Sequence, residues 1–125
     1  MGQILLVDDD EDLRDLMKSL LEDAGFELDL AISGNNALKF LNENSYNLVI
    51  TDYLMPDGRG DFLIDQIQSK WPDTKTLLLT GGGKINDEEE REKLEQIPAD
   101  RLVKKPFQYG EFIELVKELL GKSAA

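Results

Sequence analysis

Short apolar runs recur along the chain, separated by longer segments with a different spacing of apolar residues. Three runs have the length and apolar content of strands buried in a parallel sheet, at 4–7, 48–51 and 77–79. Two weaker segments lie at 28–32 and 102–103, and the first alternates apolar and polar residues as a half-exposed edge strand does. The pattern predicts five strands.

Segments with helical spacing lie between these strands. Apolar residues recur every three or four positions within 13–24, 37–41, 62–67 and 112–120. Gly25 and Gly121 follow the first and last of these segments, where a glycine commonly ends a helix. The segment 86–96 has five glutamates and few apolar residues, so we predict a weakly embedded helix there.

Alternating strands and helices predict a doubly wound α/β fold with five parallel strands, because parallel neighbours need crossover connections. We expect one domain over 1–121 and a C-terminal tail at 122–125. Sheets of this kind bind ligands at the carboxyl ends of their strands. The polar residues that follow the predicted strands are Asp8, Asp9, Asp52, Thr80 and Lys105.

Composition narrows the chemistry that these residues can perform. The 125-residue chain has no cysteine or histidine, so carboxylates, hydroxyls and amines must supply the reactive groups. Its net charge of -12 disfavours direct binding of nucleic acid. No stretch approaches the roughly 18 apolar residues of a membrane span, and no secretion signal is evident. We therefore expect a cytoplasmic protein without membrane contact.

The acids at the predicted strand ends indicate a metal site. Asp8, Asp9 and Asp52 would repel one another unless a cation lay between them, and an oxygen-only ligand set favours Mg²⁺. A carboxylate beside such a metal can act as a nucleophile on phosphorus, while an amine and a hydroxyl neutralise the phosphoryl oxygens. Lys105 and Thr80 can supply those two groups.

The sequence resembles the response-regulator receiver domains of two-component signalling over essentially its whole length. The resemblance depends on five motifs in order. They are Val7-Asp8-Asp9, the run from Ile50 to Pro56, Gly60 eight residues after Asp52, Thr80-Gly81, and Lys105-Pro106-Phe107. The family implies a flavodoxin-like (βα)5 fold with strand order 2-1-3-4-5.

The resemblance also implies a role for each site residue. Asp52 would be the phosphoacceptor, and Mg²⁺ would be held by Asp9, Asp52 and the backbone carbonyl of Leu54, with Asp8 acting through water. The donor would be a phosphohistidine of a sensor histidine kinase.

Three further residues would surround the phosphoryl group in this family. Lys105 would pair with its oxygens, Thr80 would move its hydroxyl toward it, and the N–H of Gly81 would lie close enough to help. The chain would signal to a downstream protein or to an output domain. It would catalyse only its own phosphorylation and dephosphorylation, and so would not be an enzyme in the usual sense.

Two segments depart from the family pattern. Many receivers carry an aromatic switch residue three positions before the lysine, where this chain has Leu102. The usual coupling of a rotating ring to Thr80 therefore cannot operate in that form. The segment 81–95 is rich in glycine and charge, unlike a well-anchored fourth helix.

Other classes of function fit the same fold less well. A phosphatase of the haloacid-dehalogenase type also uses an aspartate nucleophile, but requires a second aspartate at the position of Leu54. A flavodoxin-like binding module needs a phosphate-binding loop after the first strand, where this chain has Asp8, Asp9 and Asp10. A receiver used only for protein contacts would not need the acid, hydroxyl and lysine set.

Overall fold

The computed structural model describes residues 3–53, 60–80, 92, 96–105 and 107–121. Its strands are β1 (Gln3–Val7), β2 (Glu27–Ala31), β3 (Leu48–Asp52), β4 (Lys75–Thr80) and β5 (Arg101–Lys104). The helices of the described part are α1 (Glu11–Asp23), α2 (Gly34–Glu43), α3 (Gly60–Lys70) and α4 (Tyr109–Leu119). The predicted helix at 86–96 falls almost wholly outside the described residues, as does the predicted tail at 122–125.

The five strands form one parallel sheet in the order β2-β1-β3-β4-β5, as the resemblance implied. β1 lies between β2 and β3, and the register pairs Val7 with both Ala31 and Thr51. The strand order reverses between β1 and β3, so their carboxyl ends form the crevice where such sheets bind ligands. Asp8 and Asp52 lie on this edge of the sheet.

Alternating side chains of the strands build a core on each face of the sheet. Ile4 and Leu6 pack on one face with residues of α1 and α4, while Leu5 and Val7 pack on the other with residues of α2 and α3. Each of these strand side chains is fully buried, which contributes about 1.5–3 kcal/mol per side chain. The two cores hold the central strands rigidly and fix the residues at their ends.

The helix ends follow the sequence signals. Asp10 caps α1 by accepting the backbone N–H groups of Asp12 at 3.0 Å and Leu13 at 3.3 Å. Gly25 follows α1 at a φ of 92°, and Gly121 follows α4 at a φ of 74°, a region that glycine adopts without strain.

The edge strands are the least covered part of the sheet. β2 is partly buried, as the alternating pattern predicted, but it ends at Ala31 and leaves Ile32 beyond the sheet at 58% exposure. The prediction that Ile32 belongs to the strand was therefore wrong, because the pairing with β1 stops at Val7. On the opposite edge, Leu102 of β5 is 43% exposed.

Candidate functional site

Asp8 occupies the first position after β1, at the centre of the sheet's carboxyl edge. Its N–H donates to the carbonyl of Ala31 at 3.1 Å, and its Oδ1 accepts the N–H of Asp10 at 2.9 Å. The side chain is fully buried, yet its Oδ2 has no hydrogen-bond partner among the described residues. A buried carboxylate oxygen without a partner is costly, so this atom is available to a ligand.

Asp52 ends β3 and faces the same crevice. Its Oδ1 accepts the N–H of Tyr53 at 3.0 Å and lies 3.1 Å from Nζ of Lys105. Lys105 follows β5 directly, and its own N–H donates to the carbonyl of Thr80 at 2.8 Å. The parallel pairing of β4 and β5 therefore positions the lysine beside the acid that ends β3.

Asp8, Asp9 and Asp52 each offer a carboxylate oxygen, and the three oxygens lie within 4.8 Å of one another. Burial raises the pKa of Asp8 above its ordinary value, and the charges of Asp52 and Asp9 raise it further. The N–H of Asp10 and the charge of Lys105 oppose this change. A divalent cation would relieve the repulsion, and the oxygen donors and the unpartnered Oδ2 fit Mg²⁺.

Thr80 is the last residue of β4 and is 1% exposed. Its Oγ1 is the second buried side-chain atom without a hydrogen-bond partner in the described part of the chain. A hydroxyl in this position can donate to an anion that enters the crevice. Leu54 and Gly81, which the sequence also assigned to the site, lie outside the described residues.

Gly60 packs directly beneath the site, a role that sequence reasoning did not give it. A Cβ at this position would come within 3.1 Å of Tyr53 Cα, within 3.0 Å of Leu78 Cδ1 and closer still to the carbonyl oxygen of Asp52. The N–H of Gly60 donates to the carbonyl of Tyr53 at 2.7 Å. Only glycine lets α3 begin this close to the strand that carries Asp52.

The arrangement of acids, hydroxyl and lysine at the switch point of a flavodoxin-like sheet defines a receiver domain. The family model of the response regulator receiver domain matches residues 4–117. The chain belongs to this family, whose role is to accept a phosphoryl group in two-component signalling.

Curated relatives agree with this assignment. The chain is 38% identical over its full length to a CpxR homolog of Haemophilus influenzae, covering 53% of that protein. It is 32% identical over 98% of its length to CusR of Escherichia coli, again covering 53% of the relative. Both relatives are named transcriptional regulatory proteins, and the chain spans about half of their length.

Solved structures share the fold. The TrrA response regulator of Thermotoga maritima, crystallised with Mg²⁺ and BeF, matches with a TM-score of 0.82 and 38% identity over 95% of this chain and 99% of that one. A CheY-like receiver domain of Methanospirillum hungatei matches with a TM-score of 0.85 and 28% identity over 99% of this chain and 97% of that one. Within the described residues, no helix is both long and apolar enough to cross a membrane.

Proposed function

We propose that Asp52 is the residue that accepts the phosphoryl group. The observation that carries this proposal is the 3.1 Å contact between Asp52 and Lys105 within a cluster of three carboxylates. Asp8 is fully buried and Asp9 is exposed, while the side chain of Asp52 retains 13% exposure beside the lysine. Asp52 can therefore meet a donor from solvent while Lys105 offsets the charge of the incoming group.

The same carboxylates would hold Mg²⁺. Asp9 and Asp52 would supply side-chain oxygens directly, and Asp8 would act through water. The backbone carbonyl of Leu54 is the further ligand that the family resemblance implies. Bound there, Mg²⁺ would neutralise negative charge on the phosphoryl oxygens.

The donor would be the phosphohistidine of a sensor histidine kinase. A carboxylate oxygen of Asp52 forms the new bond to phosphorus as the phosphorus–nitrogen bond breaks, and the departing imidazole takes up a proton. Lys105 pairs with a phosphoryl oxygen. Thr80, whose buried hydroxyl lacks a partner among the described residues, donates to another. The family resemblance implies a further hydrogen bond from the N–H of Gly81.

The phosphorylated domain would act on a downstream protein or on an output domain joined to it. The support for an output domain is that the chain covers only 53% of each of two relatives named transcriptional regulatory proteins. The net charge of -12 makes direct DNA contact by this domain unfavourable. We therefore assign signal reception to this domain and output to another part of the system.

Intact-mass measurement after incubation with acetyl phosphate and Mg²⁺ tests the acceptor. We expect one added phosphoryl group on the parent, none on Asp52→Asn, and one on the control Asp15→Asn, which alters an exposed acid of α1. A chelator should abolish the addition, and simple phosphate esters should not be turned over. Undiminished labelling of Asp52→Asn would refute the assignment.

A further inference from the structure

Arg14 extends from the first turn of α1 back to the turn that follows β1. Its Nη1 donates to the backbone carbonyl of Asp8 at 2.8 Å in a partly buried contact. That carbonyl lies one residue beyond Val7, where the pairing of β1 with both neighbouring strands ends. The guanidinium therefore supplies a partner for a backbone oxygen that the sheet does not satisfy.

Local contacts tie the acidic turn, residues 8–10, to α1. Asp8 Oδ1 accepts the N–H of Asp10 at 2.9 Å, and the carbonyl of Asp10 accepts the N–H of Arg14 at 2.9 Å. Among the described residues, the carboxylate of Asp9 makes no hydrogen bond or ion pair of its own. Its position near Asp52 therefore depends on the backbone of the turn, to which the Arg14 side chain adds a contact.

The charge of Arg14 and its hydrogen bond have opposite consequences for metal binding. A cation beside the acidic turn competes with Mg²⁺, so its removal would tighten metal binding if charge alone mattered. However, the guanidinium contacts a backbone carbonyl, and no ion pair joins Arg14 to an acid within the described ranges. Loss of that contact would loosen the turn and weaken metal binding.

We propose that Arg14 is a positioning residue for the Mg²⁺ site, acting through the carbonyl of Asp8 to hold Asp8 and Asp9 in place. The inference rests on the proposed function, since it assumes that these acids bind Mg²⁺. In this proposal α1 both packs against the core and holds the turn that carries Asp8 and Asp9. Residues that orient metal ligands in this indirect way commonly change metal affinity by about 10–100-fold when they are replaced.

Calorimetric Mg²⁺ titration of Arg14→Met tests the proposal. We expect affinity to fall about tenfold, at the lower end of that range, because the contact is to backbone and not to a ligating carboxylate. The matched control is Lys18→Met, which removes the same charge from the same helix. Lys18 pairs with Glu22 at 3.5 Å, so this substitution leaves the contact between Arg14 and Asp8 intact. The control should bind Mg²⁺ as the parent does or slightly more tightly.

Arg14→Lys separates a specific contact from general destabilisation. Lysine retains a charged donor, so we expect it to restore part of the lost affinity, whereas Arg14→Gln, with a shorter neutral side chain, should resemble Arg14→Met. Thermal melting without metal identifies any variant that fails to fold. The Mg²⁺ affinities of the variants that do fold then test the proposal. An Arg14→Met or Arg14→Gln protein that folds and binds Mg²⁺ as tightly as the parent would overturn the proposal.

The two proposals fail in different ways. At saturating Mg²⁺, Arg14→Met should still accept a phosphoryl group from acetyl phosphate, because Asp52 and Lys105 are intact. A parent protein that binds no Mg²⁺, or that is labelled elsewhere than Asp52, would contradict the proposed function. A parent that binds Mg²⁺ with an affinity unaffected by Arg14 would contradict only this inference.

Discussion

The two ends of the parallel sheet differ in the hydrogen bonding of their buried polar groups. At the amino end, Asp100 Oδ2 accepts the N–H of Thr76 at 2.8 Å and its hydroxyl at 3.2 Å, and Thr76 Oγ1 accepts the N–H of Asp100 at 3.1 Å. At the carboxyl end, Asp8 Oδ2 and Thr80 Oγ1 are buried without partners among the described residues. One end is internally satisfied and the other is open to a ligand.

Tyr46 extends the same contrast. Its hydroxyl donates to Asp29 at 2.7 Å, and its carbonyl accepts the hydroxyl of Thr74 at 2.9 Å. Burial raises the pKa of Tyr46, and the hydrogen bond to Asp29 raises it further, so the phenol stays protonated and acts as the donor. The polar groups of Tyr46 and Thr76 are therefore paired within the protein, whereas two buried atoms at the carboxyl end, Asp8 Oδ2 and Thr80 Oγ1, have no partner among the described residues.

The largest effect on stability is expected from Asp100→Ala at the amino end. The substitution removes the acceptor for two donors of Thr76, which is only 3% exposed, and should cost about 2–3 kcal/mol of unfolding free energy. Urea denaturation followed by fluorescence of Trp71, the single tryptophan, measures the loss. The exposed Asp73→Ala should change stability by less than about 0.5 kcal/mol. An equally small change at Asp100 would mean that its contacts to Thr76 contribute nothing.

Asp8→Asn at the carboxyl end should raise the unfolding free energy, whereas Asp100→Ala should lower it. Because burial raises the pKa of Asp8, its ionised form is unfavourable in the metal-free fold, and an uncharged amide should stabilise that fold by about 1 kcal/mol at neutral pH. Mg²⁺ should stabilise the parent and not the variant. Chemical denaturation with chelator and with excess Mg²⁺ measures the stability of parent and variant in both states. If metal-free Asp8→Asn were less stable than the metal-free parent, the ionised Asp8 would not be a cost to the fold.

The pH dependence of that difference has a defined sign. Between the ordinary pKa of Asp8, 3.8, and its raised value in the fold, the native state binds more protons than the unfolded chain. The contribution of Asp8 to stability is therefore present at lower pH and is lost as pH rises through the folded pKa. The advantage of Asp8→Asn should grow over this window and be smallest at its acidic end. An advantage that stays constant with pH would exclude titration of Asp8 as its cause.

Lys105→Ala should have the smallest effect on metal binding. Removing a cation beside Asp52 lowers the competition for Mg²⁺, so affinity should stay equal or rise, by about fivefold for each ~1 kcal/mol of repulsion that is relieved. Phosphorylation by acetyl phosphate should slow, because the cation that pairs with the phosphoryl oxygens is lost. Lys104→Ala, which alters the exposed neighbour, is the control. A large loss of Mg²⁺ affinity in Lys105→Ala alone would assign the lysine to folding.

Most of the fold could be predicted because the strands are short, apolar and buried on both faces. The runs at 4–7, 48–51 and 77–79 all lie within strands whose core residues are fully covered. The edges were harder, since Ile32 is apolar but lies beyond β2, and a pattern of alternating residues does not record where backbone pairing stops. Strand order came from the family resemblance, because alternation of elements alone allows several orders.

The site was predictable where an acidic, hydroxyl or amine side chain stands at the end of a predicted strand. Asp8, Asp52, Thr80 and Lys105 all follow or end strands, so the fold brings them to one edge. Gly60 and Arg14 had no such signal for their roles. The need for glycine comes from the close approach of α3 to the backbone of Asp52, and an arginine on an amphipathic helix ordinarily indicates a solvated face.

The positions of the site residues along the chain also set the order in which they are synthesised. Asp8 and Asp9 lie in the turn after β1 and Asp52 ends β3, whereas Lys105 follows β5. The acids are therefore synthesised before the amine that lies beside Asp52 in the fold. Because a domain folds as a unit, we expect Lys105 to offset the charge of the acids only once β5 has paired with β4.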